Sequence, residues 1–524
     1  MAPDGRLCRD DLVGQLNGEF DVLVIGGGAT GLGAAVDAVS RGYRTALVEA
    51  SDFAKSTSSR STKLVHGGVR YLEKGDIGLV REALHERSNL MRNAPHLVDR
   101  LGFLLPLYRF GDVPYYFAGL KAYDVLAGKS SFPGSVYLSR KATLERAPDL
   151  RPAKLHGSIK YSDARFDDAR LALALARTAL DRGAIVVNYV RAVRFVYAAG
   201  KAAGVVARDE ESGREYEVRA KVVVNATGIF VDELRKLDDP CAQPVLAHSR
   251  GSHVVFARET FRGDDALLVP KTKDGRVLFA VPWQDHVVVG TTDIPVPSAE
   301  LDVAPTSDEI DFIIAEINNY LQRPVGRNDV LAAFAGLRPL VSGKATTTAK
   351  LSREHFIEVA KSGVVTITGG KWTTYRKMAE DVVDAAATAG GLPPAPSRTA
   401  ALPIHGSPVP DGFTADARYA QYGCDASDLL ALEAGDSTLA ERLDRRLPFT
   451  RAQVVYAARS EFARTVDDVL ARRTRALFLN AEASRAAAAQ VARLLAIEFG
   501  RDEAWQARQL ADFASVVATA GPAR

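Results

Sequence analysis

Apolar positions along this chain fall into two patterns. Stretches at Asp21 to Ile25, Thr45 to Val48, Lys221 to Asn225 and Val364 to Thr368 carry a strand signature and belong with a parallel, nucleotide-binding sheet. Shorter β-rich runs separated by turn residues, Gly251 to Phe256, Val277 to Val281 and His286 to Gly290, read as an antiparallel sheet. The parallel strands are far apart in sequence, so they predict a discontinuous nucleotide-binding domain over 18–75, 155–240 and 335–390, with a second domain at 76–154 and 241–334 inserted into it. Beyond Gly390 and the Pro-rich stretch Leu392 to Pro396 the period becomes helical. Thr450 and Thr465 stand as N-caps, and Ala481 to Phe499 and Asp502 to Ala518 are alanine-rich and amphipathic, predicting a helical domain over 400–524.

The first strand runs straight into Gly26-x-Gly28-x-x-Gly31, and Glu49 closes the next strand. Gly26 permits a tight turn, Gly28 lets the backbone approach a pyrophosphate, and Gly31 allows close packing of helix on strand. The following helix turns its positive end to the phosphates, and Glu49 is placed for ribose hydroxyls. A bound adenine dinucleotide follows, in a Rossmann-type α/β domain.

Composition narrows the class. A chain of 524 residues, 47% hydrophobic and 25% charged, has room for two or three cores. A net charge of +3 and the lack of a basic stripe disfavour nucleic acid as a partner, while a pI of 8.6 suits an anionic substrate or an anionic membrane surface. Cys8, Cys241 and Cys424 are scattered, which argues against a disulfide framework and against a zinc site and predicts no metal. The first 18 residues have no apolar core of a signal peptide, and the longest uncharged stretch, Val22 to Val36, is short and glycine-broken, so membrane contact would be peripheral.

Three further segments carry candidate chemistry. Ser56 to Glu73 crowds hydroxyls, glycines and cations behind the ribose-binding acid. It is either a solvated loop or a donor-rich one, in which Ser58, Ser59, Ser61 and Thr62 face cofactor phosphates or ring, Gly67 and Gly68 pass close to a flat ring, and Arg70 projects into an active site. Val222 to Gly228 is a strand ending in small residues, so that Ala226, Thr227 and Gly228 either line the dinucleotide or form an ordinary turn. Val364 to Arg376 repeats strand, glycine turn and helix, with a helix start near Thr373 and with Gly370 and Lys371 at the turn, suited to stabilising negative charge on a reduced flavin.

Other features read two ways. Arg472, Arg473 and Arg475 suggest a solvated helix face or interdomain ion pairs before an anion site. Phe103 to Phe110 and Pro114 to Tyr123 mix aromatics with sparse cations, fitting a membrane interface or internal packing equally.

The chain resembles the FAD-dependent, quinone-linked glycerol-3-phosphate dehydrogenases over nearly its whole length. The resemblance rests on Gly26 to Gly31, Ser58 to Leu72 with its His-Gly-Gly-Val-Arg-Tyr ending, Val224 to Gly228, Gly251-Ser-His253, Pro282-Trp283, Gly290-Thr-Thr-Asp293, Leu337-Arg-Pro-Leu340 and Gly369-Gly-Lys-Trp-Thr-Thr-Tyr375. It implies a two-domain FAD-binding fold of the glycine oxidase type, an antiparallel-sheet substrate domain, and a C-terminal helical domain. It also implies oxidation of sn-glycerol 3-phosphate to dihydroxyacetone phosphate, with hydride passing to flavin N5 and electrons to a quinone. Arg70 and Arg338 are then the substrate-contacting cations, with Tyr71 and Thr292 beside them, and Lys371 serves the flavin's electron-rich edge. His253 and His66 are alternative general bases. Asp293 reads equally as a turn residue.

An oxidase passing electrons to dioxygen, or an amine oxidase of the same superfamily, is the alternative. The chain shows neither a transit peptide nor a calcium-loop pattern, so the expectation is a bacterial, cytoplasmic protein, peripheral on the inner face of the cell membrane, with homodimer assembly left open.

Overall fold

The computed structural model describes residues 8–68, 76–109, 111–128, 132–342, 355–408 and 416–521. Its first sheet runs, in spatial order, through His355–Val359, Val365–Gly369, Glu215–Asn225, Glu19–Ile25, Thr45–Val48 and Ile185–Val187. The neighbours along this path pair in parallel except the edge strand His355–Val359, and Lys201–Asp209 adds an antiparallel ribbon between Glu215–Asn225 and Val190–Ala198. Val22, Leu23 and Val24 are fully buried. The helix Ala29–Ser40 lies against Tyr375–Ala389 so closely that a Cβ on Gly33 would stand 2.9 Å from the Tyr375 ring.

The second sheet runs through Ile294–Val296, Leu246–Ala257, His286–Gly290, Leu278–Trp283, Ala266–Val269, Val98–Leu107, Gly157–Phe166 and Leu64–Val65, with Val330–Val341 paired along Leu246–Ala257. Most of its pairs are antiparallel; Ala266–Val269 and Val98–Leu107 run parallel. Three strands sit differently from the expected boundaries. Leu64–Val65, Gly157–Phe166 and most of Val330–Val341 fall in the spans expected for the nucleotide domain, yet all three pair within the second sheet. The expected boundary at 334/335 cuts Val330–Val341, and the other two strands are placed by partners distant in sequence, which position along the chain does not show.

The C-terminal helices do not stand apart. Phe103, Val255, Trp283 and Phe334 of the second sheet share one core with Leu470, Phe478, Val491 and Leu495. Thr450 and Gln453 form a reciprocal capping box at the helix Arg451–Ser460, as the sequence predicts. Thr465 also caps, accepting from the Asp468 N–H at 3.1 Å.

The aromatic segments divide. Phe103 and Leu105 lie in the buried strand Val98–Leu107, so packing accounts for them. In the helix Asp112–Ala127 only Leu120 and Tyr123 are buried, and Tyr115 is 63% exposed. Among the described residues no helix is long and apolar enough to cross a membrane.

Candidate functional site

The glycine turn and the serine loop meet at one place. Gly26 has φ +112°, and a Cβ there would lie 2.5 Å from the Ala226 carbonyl oxygen; a Cβ on Gly31 would run into the Gly26 carbonyl. The strand ends Ile25 and Asn225 are register partners, which sets the Gly26 and Ala226 turns against each other. Gly228, φ +61°, has open space where its side chain would be. These glycines leave a cradle beside the first turn of Ala29–Ser40.

Glu49 closes that cradle. Its two carboxylate oxygens accept from the Gly27 N–H at 2.6 Å and the Ser51 N–H at 2.8 Å, and each keeps accepting capacity for a hydroxyl. Burial pushes its carboxyl above the usual range despite these bonds.

Ser58 accepts from the Ala29 N–H at 2.9 Å, and its own carbonyl accepts from the Trp372 indole at 2.8 Å. The serine loop is therefore stitched to the glycine turn on one side and to the Gly369-Gly370-Lys371 turn on the other. Gly370, φ +69°, packs against Met378, and the Thr373 hydroxyl sits 3.3 Å from the His66 N–H and 3.4 Å from its carbonyl. A short turn over Trp372–Thr374 precedes the helix Tyr375–Ala389, which starts where the sequence placed it.

Several expected cofactor donors face elsewhere. The Ser61 hydroxyl donates to Asp168 at 2.7 Å, and the buried Ser59 lies over the Ser56 carbonyl at 3.4 Å. Gly67 is bare for a packing reason: its N–H donates to the Tyr123 hydroxyl at 2.9 Å, and a Cβ would stand 2.6 Å from Leu84. Gly68 adopts φ +77°. Arg70 and Tyr71 lie outside the described residues.

The second sheet supplies the opposite wall. His253, on Leu246–Ala257, is buried, stacks on Phe334 with centroids 4.8 Å apart, and meets the Thr62 hydroxyl through Nε2 at 2.9 Å. Burial, the Lys63 ammonium and the Arg338 guanidinium push its imidazole well below the usual 6.5, so it is neutral at physiological pH.

Arg338, on the adjacent Val330–Val341, donates to the Thr292 carbonyl and to the Thr291 hydroxyl, each at 3.0 Å, and approaches Asp293 at 3.4 Å. Gly251 makes room for it, since a Cβ there would lie 2.6 Å from the guanidinium carbon. The Thr292 side chain, expected to touch substrate, is buried instead: its hydroxyl donates to Glu309 at 2.6 Å and accepts from the Ser252 N–H at 2.9 Å. Asp293 is engaged with Ser249 and Arg338.

Sequence reasoning missed Lys63 and Asp168. Both are fully buried, and they form an ion pair of 2.7 Å that fixes the serine loop. Lys63, φ +64°, holds a left-handed backbone conformation that favours glycine, a strain that local sequence does not announce.

The residues present suit a flavin dinucleotide: a glycine cradle at a helix N-terminus, a ribose acid, and a second cationic turn. Comparison with known proteins gives the same result. The FAD dependent oxidoreductase family matches residues 21–376, and the C-terminal domain of alpha-glycerophosphate oxidase matches 366–506. The mitochondrial glycerol-3-phosphate dehydrogenase of Rattus norvegicus is 42% identical over 525 residues, covering 94% of this chain and 71% of that protein. The solved structure of glycerol-3-phosphate dehydrogenase from Bacillus halodurans, complexed with FAD, aligns with a TM-score of 0.80 at 32% identity, covering 98% of both chains. Glycine oxidase from Geobacillus kaustophilus, at 17% identity and a TM-score of 0.54 over 73% of this chain and 98% of its own, shares the fold. The glycine cradle, the serine loop and the C-terminal helices thus belong to one family plan, and this chain is a member of the FAD-dependent glycerol-3-phosphate dehydrogenase family.

Proposed function

We propose that this protein oxidises sn-glycerol 3-phosphate to dihydroxyacetone phosphate at the wall formed by Leu246–Ala257 and Val330–Val341, and delivers the electrons to a membrane quinone. One observation carries the reading. A buried histidine held by Thr62 and an arginine held by Thr291 and Thr292 stand on neighbouring strands behind the serine loop.

Gly26, Gly28, Gly31, Glu49, Ser58, Ala226, Gly228, Gly370 and Lys371 hold FAD, which supplies the acceptor for the C2 hydride. Arg338, with Arg70, binds the phosphate dianion, because a guanidinium matches two phosphate oxygens at once. The His253 imidazole takes the C2 hydroxyl proton at Nε2, the atom that now meets Thr62. Burial of that ring keeps water from competing for the proton. His66, whose backbone is tied to Thr373, is the second candidate for the base. Lys371 and the N-terminal end of Tyr375–Ala389 place positive potential beside the Gly369-Gly370 turn, favouring negative charge there.

The acceptor is tested by turnover of glycerol 3-phosphate with a soluble quinone analogue under air while peroxide is measured. Quinone reduction with negligible peroxide supports the dehydrogenase reading. Peroxide equal to substrate consumed replaces it with an oxidase, the reading that the oxidase-type C-terminal match favours.

The same proposal places the protein in the cytoplasm, peripheral on the inner face of the cell membrane, with the helix Asp112–Ala127 as the contact. Its Tyr115 and Val125 are 63% and 79% exposed, and Lys121 stands on the same helix. Sedimentation with anionic lipid vesicles tests this: Val125→Glu should lower the bound fraction, and an unchanged fraction would remove this helix as the contact.

A further inference from the structure

The segment Arg472–Arg475 of the C-terminal domain holds the serine loop and the turn that leads into it. Arg472 reaches Asp52 at 2.5 Å, and Arg473 pairs with the same carboxylate, four residues ahead of the loop. Arg475 donates to the Ser59 carbonyl, in the loop's first turn, at 2.6 Å and to Asp168, the first residue of the helix Asp168–Asp181, at 3.1 Å. The three arginines are fully buried, so they are neither a solvated face nor an exposed anion site.

Arg475 holds φ +66°, a left-handed conformation that costs an arginine free energy and persists only where its surroundings impose it. A widened turn precedes it, with the Thr474 N–H bonded five residues back to Val469 at 2.9 Å. Lys63, also left-handed, reaches the same Ser59 carbonyl at 2.8 Å and the same Asp168 at 2.7 Å. Two buried cations from different domains therefore converge on one carbonyl and one carboxylate. Asp168 also takes the N–H of Ser61 at 3.0 Å and its hydroxyl at 2.7 Å. On one side of this knot, Ser58 meets the first turn of Ala29–Ser40; on the other, Thr62 meets His253.

We propose that Arg475 is a positioning residue for the cofactor-facing loop: from the C-terminal domain it fixes Ser59 and Asp168, and through Ser61 and Lys63 it sets Ser58 against the dinucleotide helix and Thr62 against His253. The C-terminal helices then take part in cofactor binding without touching the cofactor. The inference rests on the proposed role of Ser58 as a cofactor contact.

The test is a double-mutant cycle on FAD affinity of the full chain, read by flavin fluorescence, with melting temperature recorded alongside. Arg475→Met should weaken FAD binding about tenfold, the loss of one charge-assisted hydrogen bond. Ser61→Ala should weaken it less, and the double variant should be no weaker than Arg475→Met alone, since both loosen one knot. Where Arg475→Met does not fold, Arg475→Lys is read: it keeps the charge, cannot span both acceptors, and should retain part of the affinity. Unchanged FAD affinity in the arginine variant that folds, with only a lower melting temperature, overturns the proposal, as do effects that multiply. Ser58→Ala separates the premise from the inference. If it binds FAD normally, the loop's cofactor role has failed; if it binds weakly while the arginine variants bind normally, the positioning role has failed.

Discussion

The His253 ring occupies the space that a side chain on Gly290 would need: a Cβ at position 290 would stand 2.8 Å from the imidazole Cγ. The two residues are register partners on adjacent antiparallel strands, so neither can move away without disturbing the sheet. Gly290→Ala should therefore push the imidazole off Thr62, and the overpacking should cost about 1–3 kcal/mol of stability. Denaturant unfolding and steady-state kinetics check this. A variant with unchanged kcat would show that the His253 position is not required.

Arg338 depends on a second glycine. A methyl on Gly251 would meet the guanidinium carbon at 2.6 Å and displace it from Thr291 and Thr292. Gly251→Ala should raise KM for the phosphorylated substrate about tenfold, the loss of one charge-assisted contact of roughly 1.4 kcal/mol. An unchanged KM would show that Arg338 does not bind the phosphate.

The pH dependence has a definite sign. Burial, with Lys63 and Arg338, holds the His253 imidazole well below 6.5, so the base stays unprotonated as pH falls through that value. The acid limb of kcat/KM should lie below pH 6.5, and His253→Asn should lower kcat by about 10²–10⁴. The same depressed value makes the folded state bind fewer protons than the unfolded one, so this group's contribution to stability is present above about pH 6.5 and falls below it. A limb at 6.5 that survives in His253→Asn would move the base to another residue.

Asp52 behaves differently. Burial raises its carboxyl, but Arg473 and Arg472 outweigh that and hold it below the usual range. Its stabilisation is present above about pH 4 and is lost as pH falls through its lowered folded value. Asp52→Asn should cost about 3–5 kcal/mol at neutral pH, because two buried guanidiniums lose their shared partner, and it should flatten the acid end of the stability profile. Urea unfolding from pH 3 to 7 measures both.

The parts of this molecule that sequence makes legible are those in which a local pattern has one physical meaning. Apolar runs ending in Gly26 or Ala226 read as strands that stop at a turn of small residues, and Thr450 followed by Gln453 carries its own capping logic. What stays hidden depends on partners far along the chain. Arg473 and Asp52 are 421 positions apart, and Ser61 and Asp168 are 107 apart, so nothing near Arg473 tells that it is buried, or near Ser61 that its hydroxyl is already engaged. Thr292 misleads for a related reason. The resemblance puts it beside the substrate, but its hydroxyl is taken by Glu309 of the helix Ser307–Asn318, a partner 17 positions further along the chain. Gly67 resembles the cofactor glycines in sequence, while its neighbour in space is Tyr123.

The central claim is that this site takes electrons from glycerol 3-phosphate into bound FAD. An anaerobic absorbance spectrum of the purified protein, before and after addition of substrate, tests it most directly. The account predicts a yellow protein whose flavin bands bleach with glycerol 3-phosphate and not with glycerol or sarcosine; a flavin that stays oxidised with glycerol 3-phosphate, or bleaches equally with sarcosine, would contradict it.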